Sequence, residues 1–223
     1  MLRKRQRAIH ARIIEQLPEI EPYTLIVHPE IAARHLEAAG RVQDAIKCWH
    51  QAGSQAMDRS ALREAIEFFE CAVKLLRARP RSDANLRLEL STQIELGHLY
   101  GAVWGDLSAG RQRAYELALA LCRELNDCAP ERLYAYLGLW DVWFRMGQLD
   151  DAWDVATEMV AGARATGDSK LLACGHYTLA NTTFWLGDYA RCREHIEGIL
   201  DSADTYWSDA VSSRVRWRPT NRR

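Results

Sequence analysis

Apolar residues recur three and four positions apart along almost the whole chain, and the strict alternation of a half-buried strand is absent. That spacing predicts a string of amphipathic helices. The first covers residues 2–17, with Ile9, Ile13, Ile14 and Leu17 on one face and Pro18 as its stop. PEIEPYTLIV follows as a linker, because two prolines interrupt it. A helix from about His28 to Ala39 is closed by Gly40, and another runs from Val42 to about Met57. Ser60 is placed to cap the next, which lasts until Pro80. Residues 83–101 make a further helix, GAVWGDLSAG a loop, and Ser108 a cap for the helix after it. From there the pairs become regular: 129–146 with 149–166, then 169–186 with 188–203.

Helix pairs joined by tight glycine turns call for a search for a period. The clearest one is a shift of 40 residues in the second half, which sets Gly147 on Gly187, Leu149 on Tyr189, Ala152 on Cys192 and Leu139 on Leu179. Earlier, AAGRVQDAIKCW carries the same G-x-x-x-x-A turn at Gly40 and Ala45, followed by Trp49. Leu96, Gly97 and Tyr100 form L-G-x-x-Y. The pattern has a physical cause. Glycine closes a turn between antiparallel helices, and a small side chain five residues later lets the second helix approach the first. Large residues such as Trp49, Trp143 and Trp185 are then expected to fill the space between neighbouring pairs. One pair cannot bury its apolar face alone, so pairs stack. The expectation is an all-α, tetratricopeptide-like helical-pair solenoid over residues 28–203. A basic helix and Pro-containing linker (1–27) precede it and a basic, disordered tail (204–223) follows it.

Composition agrees with a helical globular chain: 48% of its 223 residues are hydrophobic, 26% charged, and Gly and Pro are few. No stretch approaches eighteen consecutive apolar residues, and Arg7, His10, Arg12 and Glu15 interrupt what would be the apolar core of a signal peptide. A cytoplasmic protein is expected. The six cysteines, Cys48, Cys71, Cys122, Cys128, Cys174 and Cys192, contain no C-x-x-C and read as small buried hydrophobes rather than disulfides.

The net charge of −1 is unevenly spread. Residues 1–13 and 214–223 each carry five basic side chains and no acid, which leaves 19 basic against 30 acidic side chains between them, a net −11. An acidic body repels phosphates, so no nucleic-acid groove is expected. A protein or peptide partner is expected, with a basic segment favoured by the field of the body.

The stretch from His28 to Leu76 is more specific than a generic repeat. Its marks are Ala33-Arg34-His35, Ala38-Ala39-Gly40, Ala45-Ile46, Trp49, Ala52-Gly53, Ala56, Arg59-Ser60-Ala61 and Glu64-Ala65-Ile66. With Phe184-Trp185-Leu186-Gly187-Asp188-Tyr189 and an opening of Arg5, Ala8-Ile9-His10, Arg12-Ile13, these resemble the helical region of large bacterial signalling proteins. In that family a class III adenylate cyclase domain or another input precedes an AAA-type ATPase module, and tetratricopeptide repeats follow the ATPase. The resemblance covers roughly residues 3–203. It implies an interaction or sensor arm of an ATP-dependent regulator, and it transfers no catalytic residue. There is no G-x-x-x-x-G-K-[ST] phosphate loop and no context for the metal-binding carboxylates of a cyclase. The resemblance stops near Ala203, where more helix pairs would follow, and gives way to DTYWSDAVSSRVRWRPTNRR. That break is read as the mark of a gene fragment or of a frame shift near residue 204.

Three constellations have a chemical reading beside a structural one. Cys174, His176, Cys192 and His195 have zinc-ligand chemistry, but Cys174 and His176 are two apart on a helix and point to different sides. Buried cysteines with surface histidines are the preferred reading. Trp140, Trp143, Trp153 and Trp185 line either a ligand groove or the layers between helices, with layer filling preferred. His28, His35, His50 and His98 stand in no triad context, and Glu64, Glu67 and Glu70 form a solvated helix face. No catalytic residue, cofactor, metal or membrane contact is expected. The last pair, 169–203, carries Leu179, Phe184, Trp185, Tyr189, Ile196, Ile199 and Leu200 with no capping helix after it, so its outer face is expected to expose apolar surface that a further repeat once covered or that a second copy covers by self-association.

Overall fold

The computed structural model describes residues 2–20, 27–125 and 128–200. Its helices are α1 (Leu2–Ile20), α2 (Pro29–Ala39), α3 (Val42–Asp58), α4 (Leu62–Arg77), α5 (Asp83–Trp104), α6 (Ala109–Glu124), α7 (Ala129–Arg145), α8 (Leu149–Thr166) and α9 (Ser169–Trp185). A further helix, α10, covers 189–200, and no strand occurs among the described residues. The chain divides into two compact units, Met1–Asn126 with α1–α6 and Asp127–Arg223 with α7–α10. The expected tail at 204–223, and with it the expected absence of helix at 205–223, lies outside the described residues.

Within the first unit each helix packs on its neighbours in the chain. The apolar stripes that the 3.6-residue period creates are what they bury. α3 buries Ala45, Ile46, Trp49, Ala52, Gly53 and Ala56 on one side. α4 buries Ala65, Ile66, Phe69, Ala72, Val73 and Leu76. Each side chain the size of Phe69 or Ile66 contributes about 1.5–3 kcal/mol by leaving water. Ile14 of α1 joins Ala32, Leu36 and Ala45, so the basic first helix is part of this packing. In the second unit α7, α8 and α9 bury Trp140, Ala152, Ala156, Val160 and Leu179 together.

Four boundaries differ from the sequence expectation. α1 continues past Pro18 to Ile20, because a proline in the last turn forfeits one backbone donor and leaves the rest of the helix intact. α5 continues through Gly101 to Trp104, and Gly105, with φ 91°, ends it. The expected loop is thereby reduced to residues 105–108. Ser108 occupies the N-cap position of α6 but makes no cap bond, and its hydroxyl is buried without a partner. Ser60 is no cap: it takes φ 59°, and α4 begins at Leu62.

Candidate functional site

The turns are the most regular part of the molecule. Gly40, Gly147, Gly167 and Gly187 all have φ between 69° and 81°, the left-handed region that costs glycine nothing. The turns at 147, 167 and 187 follow one another at a step of 20 residues, the same step that separates Gly40 from Ser60. The backbone pairing repeats as well. Gly147 N–H donates to the Phe144 carbonyl at 3.1 Å and Gln148 N–H to Trp143 at 3.0 Å. Gly187 with Phe184, and Asp188 with Thr183, reproduce this at 3.1 and 3.0 Å. Gly40 and Arg41 do so on Glu37 and Leu36, and Ser60 and Ala61 on Met57 and Ala56. Ser60 therefore holds the place that glycine takes elsewhere.

Five residues after these turns stand Ala45, Ala65, Ala152 and Cys192. The three alanines are fully buried and Cys192 is 8% exposed. Leu96, Leu139 and Leu179 are buried too, and Tyr100 is half-buried with its hydroxyl donating to Glu70 at 2.6 Å. A second kind of close approach escapes the sequence reading. A Cβ on Gly53 would lie 2.6 Å from the Phe69 ring, and one on Gly97 would lie 2.7 Å from the Tyr115 ring. Interior helical glycines followed one helix later by an aromatic residue are the signal that points to them.

Alongside α5, between α4 and α6, the first unit carries two adjoining cavities of about 350 and 230 Å³. Val73 and Lys74 of α4, Gln93 and Tyr100 of α5, and Arg113 and Leu117 of α6 line the larger one. The smaller continues it past Arg77 towards Arg79, Arg81, Asn85, Glu89 and Glu124. Two of these cations are already neutralised: Arg77 donates to Glu89 at 2.7 Å, and Arg81 donates to Glu124 at 2.6 Å. Burial, helped by the bond to Glu70, pushes the Tyr100 phenol well above its ordinary value, so it stays protonated.

A third cavity of about 200 Å³ brings His50, Ser54, Ser91 and Glu95 together. The grouping is not poised for nucleophilic chemistry, because Ser54 donates to the His50 carbonyl and Ser91 to the Leu88 carbonyl. Burial holds the His50 imidazole below its ordinary pKa.

In the second unit only the two histidines of the zinc-type set are seen to meet, and His176, expected at the surface, is buried. His176 and His195 meet, Nδ1 to Nδ1 at 3.3 Å, and Gly198 fits against the His176 ring. Among the described residues no three His, Cys, Asp or Glu groups converge on a metal position. The described cysteines are free thiols, and burial raises the pKa of Cys48, Cys71 and Cys174. Trp140 is buried and donates its indole N–H to Thr182 Oγ1 at 3.0 Å. Trp143 and Trp153 are partly buried and pack against the cluster to which it belongs. Trp185 departs from the layer-filling expectation. It is 67% exposed, beside exposed Phe184, Leu186 and Tyr189, because it ends α9 at the turn and meets Phe144 and Phe184 edge-on. With Gly147 and Leu149 it borders a shallow apolar cavity of about 270 Å³. No described helix is long and apolar enough to cross a membrane.

No protein-family model matches the chain. An uncharacterized protein of Rhizobium meliloti (strain 1021) is 29% identical over 141 residues, 63% of this chain. The chain spans only 14% of the length of that relative. Among solved structures, BtubC (BKLC) from P. vanneervenii superposes with a TM-score of 0.54 at 15% identity, over 100% of this chain and 96% of that one. A Podosopora anserina protein of nearly identical TPR-like repeats, described as a kinesin light chain, gives 0.58 at 18% identity over 88% and 97%. A point variant of that protein gives 0.58 at 19% over 89% and 98%. The chain thus has the all-α fold of tetratricopeptide-like helical repeats.

Proposed function

We propose that the chain is a non-catalytic protein–protein interaction module of tetratricopeptide type, and a part of a larger bacterial signalling ATPase. The observation that carries the reading is the open, cavity-bearing face that α4, α5 and α6 present side by side. Helical repeats form such faces as a consequence of stacking, and extended segments or helices dock on them. The exposed Phe184, Trp185 and Tyr189 supply a second, apolar surface suited to self-association. The basic partner expected from charge rests on the −11 body, whose field acts at long range and steers encounter rather than fixing a site. Affinity capture from the native host with cross-linking tests the reading: specific recovery of a protein partner supports it, and recovery of none removes it.

A second reading, a sensor arm of an ATP-dependent regulator or adenylate cyclase whose catalytic domains are absent from this chain, draws on the much greater length of the Rhizobium relative. Both readings predict no ATP binding and no cyclic AMP formation by the purified chain. Either activity would overturn the non-catalytic assignment.

A further inference from the structure

We infer that the groove along α5 binds an extended acidic peptide, a local preference opposite to the one the net charge of the body suggests. The inference rests on the interaction-module reading and adds the chemistry of the partner.

The groove runs from Tyr100 to Asn85 along one helix. At 1.5 Å per residue that is about 22 Å, the reach of roughly six or seven extended residues. Its cations outnumber its anions, and the anions are spent. Glu89 is held by Arg77, Glu124 by Arg81, and Glu70 accepts from the Tyr100 hydroxyl. Among the described residues, Lys74 on one rim and Arg113 on the other make no ion pair, and the Arg79 Nε is buried with no hydrogen-bond partner. The floor adds Gln93, which is only 3% exposed, lines the larger cavity and makes no side-chain hydrogen bond to a described residue. The Gln93 amide reaches the cavity, where a ligand group can take the place of the water it bonds. Its NH2 can donate to a peptide carbonyl and its oxygen can accept from a peptide N–H, as an extended backbone requires. Val73, Leu96 and Leu117 supply apolar floor between the charges. A segment with two or three carboxylates separated by apolar residues matches this arrangement. Single-stranded nucleic acid matches the groove less well, because it binds by stacking its bases on aromatic side chains, and Tyr100 is the one aromatic residue among those lining the two cavities.

The test uses fluorescence anisotropy on the full 223-residue chain. The probes are a labelled peptide alternating Glu and Leu, its Lys and Leu counterpart, and a single-stranded RNA of equal length. The acidic peptide is expected to bind most tightly. Lys74→Glu with Arg113→Glu should weaken it at least about tenfold, and more at low salt. Lys47→Glu with Arg63→Glu changes net charge equally at exposed positions outside the groove, and should leave binding within about twofold. Tighter binding of the basic peptide or the RNA, no binding of the acidic peptide, or equal losses in both double variants would each overturn the inference. Affinity capture separates this from the module reading. A specific host partner retained by Lys74→Glu/Arg113→Glu sinks the groove assignment alone, whereas capture of no partner by the unaltered chain sinks the module.

Discussion

Gly53 of α3 lies face-on to the ring of Phe69 in α4, so close that a Cβ at position 53 would come within 2.6 Å of the ring carbons. Phe69 is fully buried and cannot swing away. Gly162, inside α8, has nothing within 4 Å of the same virtual atom. The two glycines therefore predict opposite signs for one substitution. Gly162→Ala should stabilise by about 0.5–1 kcal/mol through helix propensity alone. Gly53→Ala gains the same propensity but forces overpacking worth about 1–3 kcal/mol, so it should destabilise. Urea titration of both variants measures the difference.

Ser60 sits at φ 59° in a turn whose counterparts use glycine. A non-glycine residue in that conformation costs about 1–2 kcal/mol. The larger backbone entropy of unfolded glycine offsets part of what relieving that strain would gain. Ser60→Gly should stabilise by a few tenths to about 1 kcal/mol, raising the melting temperature by roughly 2 °C. Ser60→Val, with a branched Cβ, should lower it. A melting temperature unchanged in both would show that the turn is not strained.

Three imidazoles are held below the ordinary histidine value of 6.5, first by burial: His35, His50 and His195. His35 is lowered further by His10, whose Nδ1 lies 2.8 Å from its own. A depressed folded pKa means that the unfolded chain binds more protons. The stability these groups contribute is therefore complete above pH 6.5 and is lost as pH falls through their folded values. Thermal unfolding should show a plateau above that point and a decline from there towards lower pH. His35→Gln with His195→Gln should flatten the decline, and an unchanged slope would remove these histidines as its cause.

Trp185, at 67% exposed, and Tyr189, at 64%, are large apolar side chains open to water. If copies meet through this face, the unaltered chain should sediment as a concentration-dependent dimer. Trp185→Ser with Tyr189→Ser should then shift it towards monomer while the helical circular dichroism signal is kept, because neither side chain is in the core. Concentration-independent sedimentation of the unaltered chain would show that the face does not self-associate.

Much of the architecture is legible because helices announce themselves locally. The stripe Ala65, Ile66, Phe69, Ala72, Val73 and Leu76 needs only the 3.6-residue period. The turns at Gly40, Gly147 and Gly187 need only the conformational freedom of glycine. Ser60 reads as a cap because serine is a good N-cap and a poor left-handed residue. Local preference points one way, and the repeated geometry of the turn, fixed by packing on both sides, points the other.

The sequence by itself determined the helices, their pairing through short turns and the excess of acid over the body, since each follows from neighbours in the chain or from a sum. Only the tertiary structure decided which charges face one another. Arg77 and Glu89 are on separate helices, and Arg81 and Glu124 lie far apart in the chain; their pairing leaves Lys74 and Arg113 as cations that a groove can offer to a ligand. Likewise Trp140 and Trp185 are the same residue type, each on a helix rich in aromatic neighbours, yet one is buried on Thr182 and the other is open to water. Burial and charge complementarity are properties of three-dimensional neighbourhoods, and linear spacing reaches them only where the fold repeats with a strict period.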